Sequence, residues 1–184
     1  MPATATPETT RTAWAIDPAH SHVEFAVKHL MISTVKGRFA DVAGTVTSSD
    51  DTFRDATVDI TIGVASIDTR QSDRDAHLRS ADFFEVEKYP SMTFRSTRVE
   101  KDGDDLRVTG QLTIRDVSRE VVLKVTPEGT GGDPWGGQRA GFSATTKINR
   151  KDFGLTWNQA LETGGFVVGD EVKISLDVEL VKQK

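Results

Sequence analysis

The side chains best able to do chemistry in this 184-residue chain are four histidines among many carboxylates, and cysteine is absent. Without a thiol there are no disulfides, thiolate nucleophiles or cysteine-ligated zinc sites. His20 and His22 stand two residues apart, so on a strand both project to one face, a spacing found among zinc ligands. His29 falls on the opposite parity, and only Asp or Glu would remain to complete a site. Polar-face histidines bonded to a neighbouring loop are the simpler expectation, and no metal ligand is assigned. His77 lies between Asp75 and Arg79, where a solvated or locally bonded imidazole fits better than a catalytic one. Ser, His and Asp all occur, yet no Gly-x-Ser-x-Gly elbow presents a nucleophile. Residues 129–137 (GTGGDPWGG) lack both the G-x-G-x-x-G spacing and the Lys-Ser/Thr of a phosphate loop, and read as a long flexible loop with Trp135 at its tip. No catalytic residue and no required cofactor are expected.

Composition narrows the classes further. A formal net charge of −5 disfavours nucleic acid, whose partners usually present a basic face to phosphates. Hydrophobic residues at 36% are too many for wholesale disorder. No uninterrupted apolar run reaches the roughly 18 residues that a membrane helix needs. The start, MPATATPETTRTAW, has no cationic segment followed by an apolar one, so the reading is of a cytoplasmic protein without a signal peptide. Residues 1–12 are expected to form a mobile tail and residues 13–184 one domain.

The elements that must position any site are strands. Over 106–115, Leu106, Val108, Gly110, Leu112 and Ile114 alternate with Arg107, Thr109, Gln111, Thr113 and Arg115. Successive strand side chains point to opposite faces, so one face is apolar and the other wetted. Val172, Ile174, Leu176, Val178 and Leu180 repeat the pattern, as do Val23, Phe25 and Val27; Val58, Ile60 and Ile62; Met92 and Phe94; Val121, Leu123 and Val125; and Phe142, Ala144, Thr146 and Ile148. Asp50-Asp51 and residues 101–105 (KDGDD) supply hairpin-like turns. One segment departs from period two. Residues 72–84 (SDRDAHLRSADFF) predict a short helix across the sheet, with Ser72 as N-cap and Asp75 three residues on. Periodicity alone leaves a sandwich and a closed barrel both open.

Several segments in register resemble the bacterial YceI-like (polyisoprenoid-binding) proteins. They are WAID at 14–17, HSHVEFAVKH at 20–29, VKGRF at 35–39, HLRSADFF at 77–84 followed by YP at 89–90 and MTF at 92–94, GQLTI at 110–114, NRKDFG at 149–154 and DEVKI at 170–174. The resemblance implies a lipocalin-like antiparallel barrel of about eight strands, able to enclose one long apolar ligand such as a polyisoprenoid or quinone tail. The apolar strand faces then offer Phe25, Val27, Met92, Phe94, Leu112, Ile114, Phe142, Ile174 and Leu176 as lumen residues. Phe39, Leu78, Phe83, Phe84, Phe153, Leu155 and Trp157, in motif segments, are expected to line or cap the mouth. His29, Arg74 and Arg79 are candidate headgroup contacts. The partner is thus a long-chain apolar small molecule to be carried, stored or sequestered. An enzyme acting on a hydrophobic substrate in the same barrel, a barrel filled by its own side chains and a homodimer are the alternatives.

Overall fold

The computed structural model describes residues 9–184, and within them the alternating segments form one antiparallel sheet. In chain order the strands are β1 (Thr12–Ile16), β2 (His22–His29), β3 (Ser33–Phe39), β4 (Val42–Ser48), β5 (Thr57–Gly63), β6 (Ile67–Asp68), β7 (Ser91–Asp102), β8 (Asp105–Ile114), β9 (Val117–Gly132), β10 (Gln138–Asn149) and β11 (Val168–Lys182). One α-helix, α1 (Ser72–Arg79), stands between β6 and β7.

The first six strands are three bent staves. β1 pairs with the end of β11 (Ile16↔Leu180) and β2 with its beginning (Val23↔Leu176). β4 and β3 pair with β1 and β2 in turn, and β5 and β6 with β4 and β3. Taken this way, β1/β2, β3/β4, β5/β6, β7, β8, β9, β10 and β11 make eight staves, and β11 closes the ring on β1/β2. Closure removes every long unpaired edge, and eight staves leave a bore that can hold one small ligand. Pro18 explains the first bend: it has no N–H to give the ladder, and Asp17 beside it turns its carboxylate to the Ala19 N–H at 2.9 Å.

The two ends differ. At one, the connection 49–56 folds inward and Phe53, 3% exposed, plugs the bore against Trp14 (centroids 5.3 Å) and Phe142 (5.0 Å, edge to face). Phe53 holds φ +58°, a left-handed conformation costing roughly 1–2 kcal/mol that its burial offsets. Arg139 fastens the same end. Its Nη1 donates to Asp17 (2.7 Å) and Glu179 (2.6 Å) and its Nε to Asp133 (3.1 Å), tying the β9–β10 turn to β11 and the β1/β2 bend. At the other end β6 diverges from β7 after the Gly63↔Ser91 pair, and α1 with residues 80–90 fills the wedge.

Three expectations change. The helix stops at Arg79, because the Ser80 Oγ and N–H both turn back to the His77 carbonyl, at 2.6 and 3.0 Å. Its cap is Gln71, whose side chain accepts from the Arg74 N–H at 2.8 Å, while Ser72 is the first helical residue. The first four residues of the glycine-rich stretch are strand. β9 runs on to Gly132, pairing Thr130 with Ala140 and Gly131 with Arg139, because β10 offers a continuous ladder; only residues 133–137 turn. Of the expected tail, residues 1–8 lie outside the described residues, while Arg11 donates to Asp55 (3.0 Å) and to the Thr47 carbonyl (3.0 Å) and β1 begins at Thr12.

Phe53→Ala should lower unfolding free energy by about 3–5 kcal/mol, measured by urea denaturation, since it empties a plug with no other side chain to fill it. A second outcome concerns acid. The Asp17 carboxyl is held down to about 2, first by its hydrogen bond to His20 (2.8 Å) and then by that to Arg139. A native pKa below the unfolded value of 3.8 contributes stability that is complete above pH ~4 and drains as pH falls through about 2. Asp17→Asn should therefore flatten the loss of stability between those pH values. His20, whose pKa the same contact raises, contributes in the opposite sense, losing its share as pH climbs through that raised value.

Candidate ligand-binding site

The inward faces of the staves surround a hollow. A cavity of about 310 Å³ opens at the α1 end, within the several hundred Å³ expected of a small-molecule site. Val23, Phe25 and Val27 of β2 and, beside them, Ile174 and Leu176 of β11 line it together with Leu112 and Ile114 of β8 and Met92 and Phe94 of β7. Phe25 lies directly opposite Gly37 on β3, and any Cβ at Gly37 would overlap its ring, so glycine there sets the bore. At the mouth Phe39 meets Phe25 (5.5 Å) and Phe84 (5.9 Å, edge to face), and Trp157 meets Phe83 (5.3 Å) and His77 (4.8 Å). Leu78 of α1 and Leu155 complete this collar.

Beneath it lies a smaller chamber of about 80 Å³ that ends on Phe53. Ile60, Leu123 and Leu176 border both spaces and form the waist between them. Phe142 belongs to this lower chamber. Phe153, 2% exposed, borders neither space and packs in the core beside the Arg150–Phe153 3-10 turn, which Gly154 ends at φ +78°. Arg79 borders neither: it donates to the Ala65 and Ile67 carbonyls (3.1 and 3.0 Å) and clamps α1 to β6. Ile60, Ile62, Val121 and Leu123 also line the hollow; the alternation at 58–62 and 121–125 was the signal for them.

The ionisable residues on the cavity wall, among those described, are Lys28, His29, Arg74, His77 and Arg150, all basic in a chain of net charge −5. Arg74 is held in place. Its Nε donates to the Thr69 hydroxyl (2.7 Å) and its Nη2 to the Thr69 carbonyl (2.6 Å). Asp75, buried at 8%, takes the Thr69 hydroxyl hydrogen and its N–H, so the hydroxyl's lone pairs are left for Arg74. Nη1 of Arg74 makes no hydrogen bond and the residue no ion pair among the described residues. Arg150, 3% exposed, donates to the carbonyls of Gly169 (2.8 Å), Trp157 (2.9 Å) and Leu155, stitching the two chain segments of the mouth together. Burial pushes its pKa down, and a guanidinium nevertheless stays charged. Sequence reasoning passed over Arg150, whose one signal was its place in the NRKDFG run at a strand end.

No nucleophile–base pair faces the hollow among the described residues. Its hydroxyls are those of Thr69, engaged as above, and Thr146, which donates to the Val122 carbonyl at 2.9 Å. His20 and His22 are not brought together on one strand face: His20 ends the Pro18–His20 turn against Asp17, and His22 stands 3.4 Å from Asp177. Asp17, His20 and Glu179 do converge, but Arg139 donates to both carboxylates and supplies the cluster's cation itself.

Known proteins share both sequence and architecture. Protein YceI of Escherichia coli O17:K52:H18 is 44% identical over 165 residues, 90% of this chain and 83% of the relative, and Protein YceI of Salmonella newport is 42% identical over the same span. Crystal structures of Campylobacter jejuni YCEI protein (36% identity, TM-score 0.72, 85% of this chain and 90% of that one) and of Burkholderia cenocepacia BcnA (26%, TM-score 0.77, 89% and 98%) have the same fold. A polyisoprenoid binding domain from Saccharophagus degradans, implicated in plant cell wall breakdown, is alike in fold at 16% identity and TM-score 0.65, covering 94% of this chain and 99% of that one. With the YceI-like domain model matched over residues 14–180 of a chain already seen to close into this hollow barrel, the protein belongs to the YceI-like family.

Proposed function

We propose that the protein binds one long-chain apolar molecule of isoprenoid type, tail inward and polar head at the basic rim, and carries or sequesters it without chemical change. The observation that carries this reading is the hollow itself: apolar walls, a plugged floor and charged groups only around the mouth. Each methylene moved from water into such a lumen gains about 0.8 kcal/mol, so a tail of some fifteen carbons gains on the order of 10 kcal/mol before ordering and association costs are subtracted. No wall group reads the tail by hydrogen bonding, so bore and length set selectivity and related tails should bind alike. The S. degradans domain of the same fold is named for polyisoprenoids, which makes prenols and prenylated quinones the first probes to offer. At the rim, Arg74 borders the cavity with Nε and Nη2 engaged by Thr69, which leaves Nη1 for an oxygen-rich or anionic head.

Purified protein, extracted with organic solvent and analysed by mass spectrometry, should release or take up such a lipid in a one-to-one ratio; refusal of prenols, prenylated quinones and fatty amides alike would overturn the reading. Leu112→Trp, which fills the lumen from its wall, should weaken prenol binding at least tenfold with the thermal midpoint little changed. Leu123→Phe, at the waist, should penalise long tails more than short ones in the same titration. Arg74→Gln should weaken a prenyl phosphate by about tenfold, the lower end of what a charge-assisted hydrogen bond contributes, and leave the matching prenol unchanged.

A further inference from the structure

Six large hydrophobic side chains are exposed among the described residues, and four of them gather at one place: Leu30 (36%), Met31 (59%), Ile32 (84%) and Phe166 (51%). They form one patch from two loops. The Leu30 N–H donates to the Val167 carbonyl at 2.9 Å, and Met31 lies over Gly165, close enough that a Cβ there would stand 3.2 Å from its Cγ. We infer that this patch docks the barrel mouth onto the surface of a lipid bilayer.

The turn is built against local preference. Only Leu30, Met31 and Ile32 separate the paired residues His29 and Ser33, and the first two hold φ +52° and +63°. Hairpin positions of that kind favour Gly, Asn or Asp, which accept the conformation and welcome water. Leu and Met at these positions are strained, and with Leu30 36% and Met31 59% exposed, burial within the protein offsets that cost only in part. Apolar residues kept in such a place mark a contact outside the chain.

Position and charge indicate what that contact is. His29 precedes the patch on β2 and Val167 follows Phe166, and both line the cavity, so the patch is continuous with the opening through which a ligand must pass. It consists of projecting loop tips rather than a flat face or groove. Such tips fit into the soft headgroup–acyl boundary, where Leu, Ile, Met and Phe enter while neighbouring cations stay at phosphate level. Lys28 and Arg74 on the adjoining rim supply those cations although the chain as a whole is acidic. The docking stands on the patch alone; its use for loading ligand rests on the proposed carriage.

Flotation with phosphatidylcholine vesicles, with and without added phosphatidylglycerol, tests it. Wild-type protein should float, and a variant combining Met31→Ser, Ile32→Ser and Phe166→Ser should bind at least tenfold more weakly, with a circular dichroism spectrum and thermal midpoint matching wild type. Trp135→Ser, which removes an 82% exposed ring from the plugged end of the barrel, should float as wild type does. Wild type that stays at the bottom of the gradient, a triple variant that floats equally well, or equal loss on Trp135→Ser would each overturn the inference. So would a dimer at working concentration that the triple variant abolishes without any vesicle binding, since the patch would then meet a second copy. Prenol uptake from a detergent-free dispersion, followed on the same samples, separates this from carriage: uptake without flotation removes the docking, and flotation without uptake removes the carrier.

Discussion

The barrel depends on β11 finding backbone partners on both sides along its length. One side is served by β10 without interruption from Arg139↔Val181 to Asn149↔Glu171. The other is served by a stave that must bend, and the bend falls at Asp17-Pro18 between β1 and β2. Once that pairing is complete every alternate side chain points into a ring too wide for eight staves of Val, Leu, Ile and Phe to fill. The resulting void forfeits dispersion contacts, on the scale by which deleted core side chains cost several kcal/mol. Such a ring stays folded because its ladder is closed and its far end is fastened, and a ligand that fills the void returns the missing contacts.

The two ends are built on opposite principles. At the plugged end the cation is paired: Arg139 meets three carboxylates, and Phe53, Trp14 and Phe142 fill the space. At the mouth, basic groups line the wall, and Arg74 and Arg150 spend most of their donors on hydroxyl and carbonyl oxygens. Carbonyls orient a guanidinium without neutralising it; Arg74 has no carboxylate at ion-pair distance among the described residues, whereas Asp170 stands 3.9 Å from Arg150 and Asp82 2.9 Å from His77. Stability is concentrated at one end and an unmet charge at the other, which lets the mouth be polarised without weakening the closure.

How far the sequence revealed this follows from what period two can report. Alternation identifies the face of a residue, so Phe25, Met92, Phe94, Leu112, Ile174 and Leu176 were legible as inward, and all border the main cavity. It carries no information about depth. Phe142 reads like Phe25 yet lies in the lower chamber, and Ile60 and Leu123 gave no sign that they form a waist. Motif membership was weaker still: Phe153 and Arg79 sit in the family-like runs and border neither space. Phe53 was invisible, a single aromatic in an acidic connection with no period to announce it. The glycine-rich stretch misled because glycine's turn preference is local, whereas the ladder offered by β10 is not. Of the rim, His29 and Arg74 were read from the sequence and border the cavity, whereas Lys28 and Arg150 escaped because they come from β2 and the turn after β10, and only the closed ring brings them together.

Broken local rules carry their own information when each is asked what offsets it. Phe53 adopts a left-handed backbone that its side chain dislikes, but 3% exposure and two aromatic neighbours account for the choice inside the molecule. Gly154 at φ +78° ends the turn behind Arg150 and needs no offset, since glycine has no Cβ to clash. Leu30 and Met31 adopt the same region while 36% and 59% exposed, so their burial offsets the strain only in part. Arg70, Glu85, Arg115 and Asp116 share this region, but as polar residues they suit solvent; at Leu30 and Met31 it is apolar residues that adopt it, which indicates a constraint beyond the chain's own fold. Because the cavity mouth begins at the very next residue, His29, that constraint and the ligand's path meet at the same place.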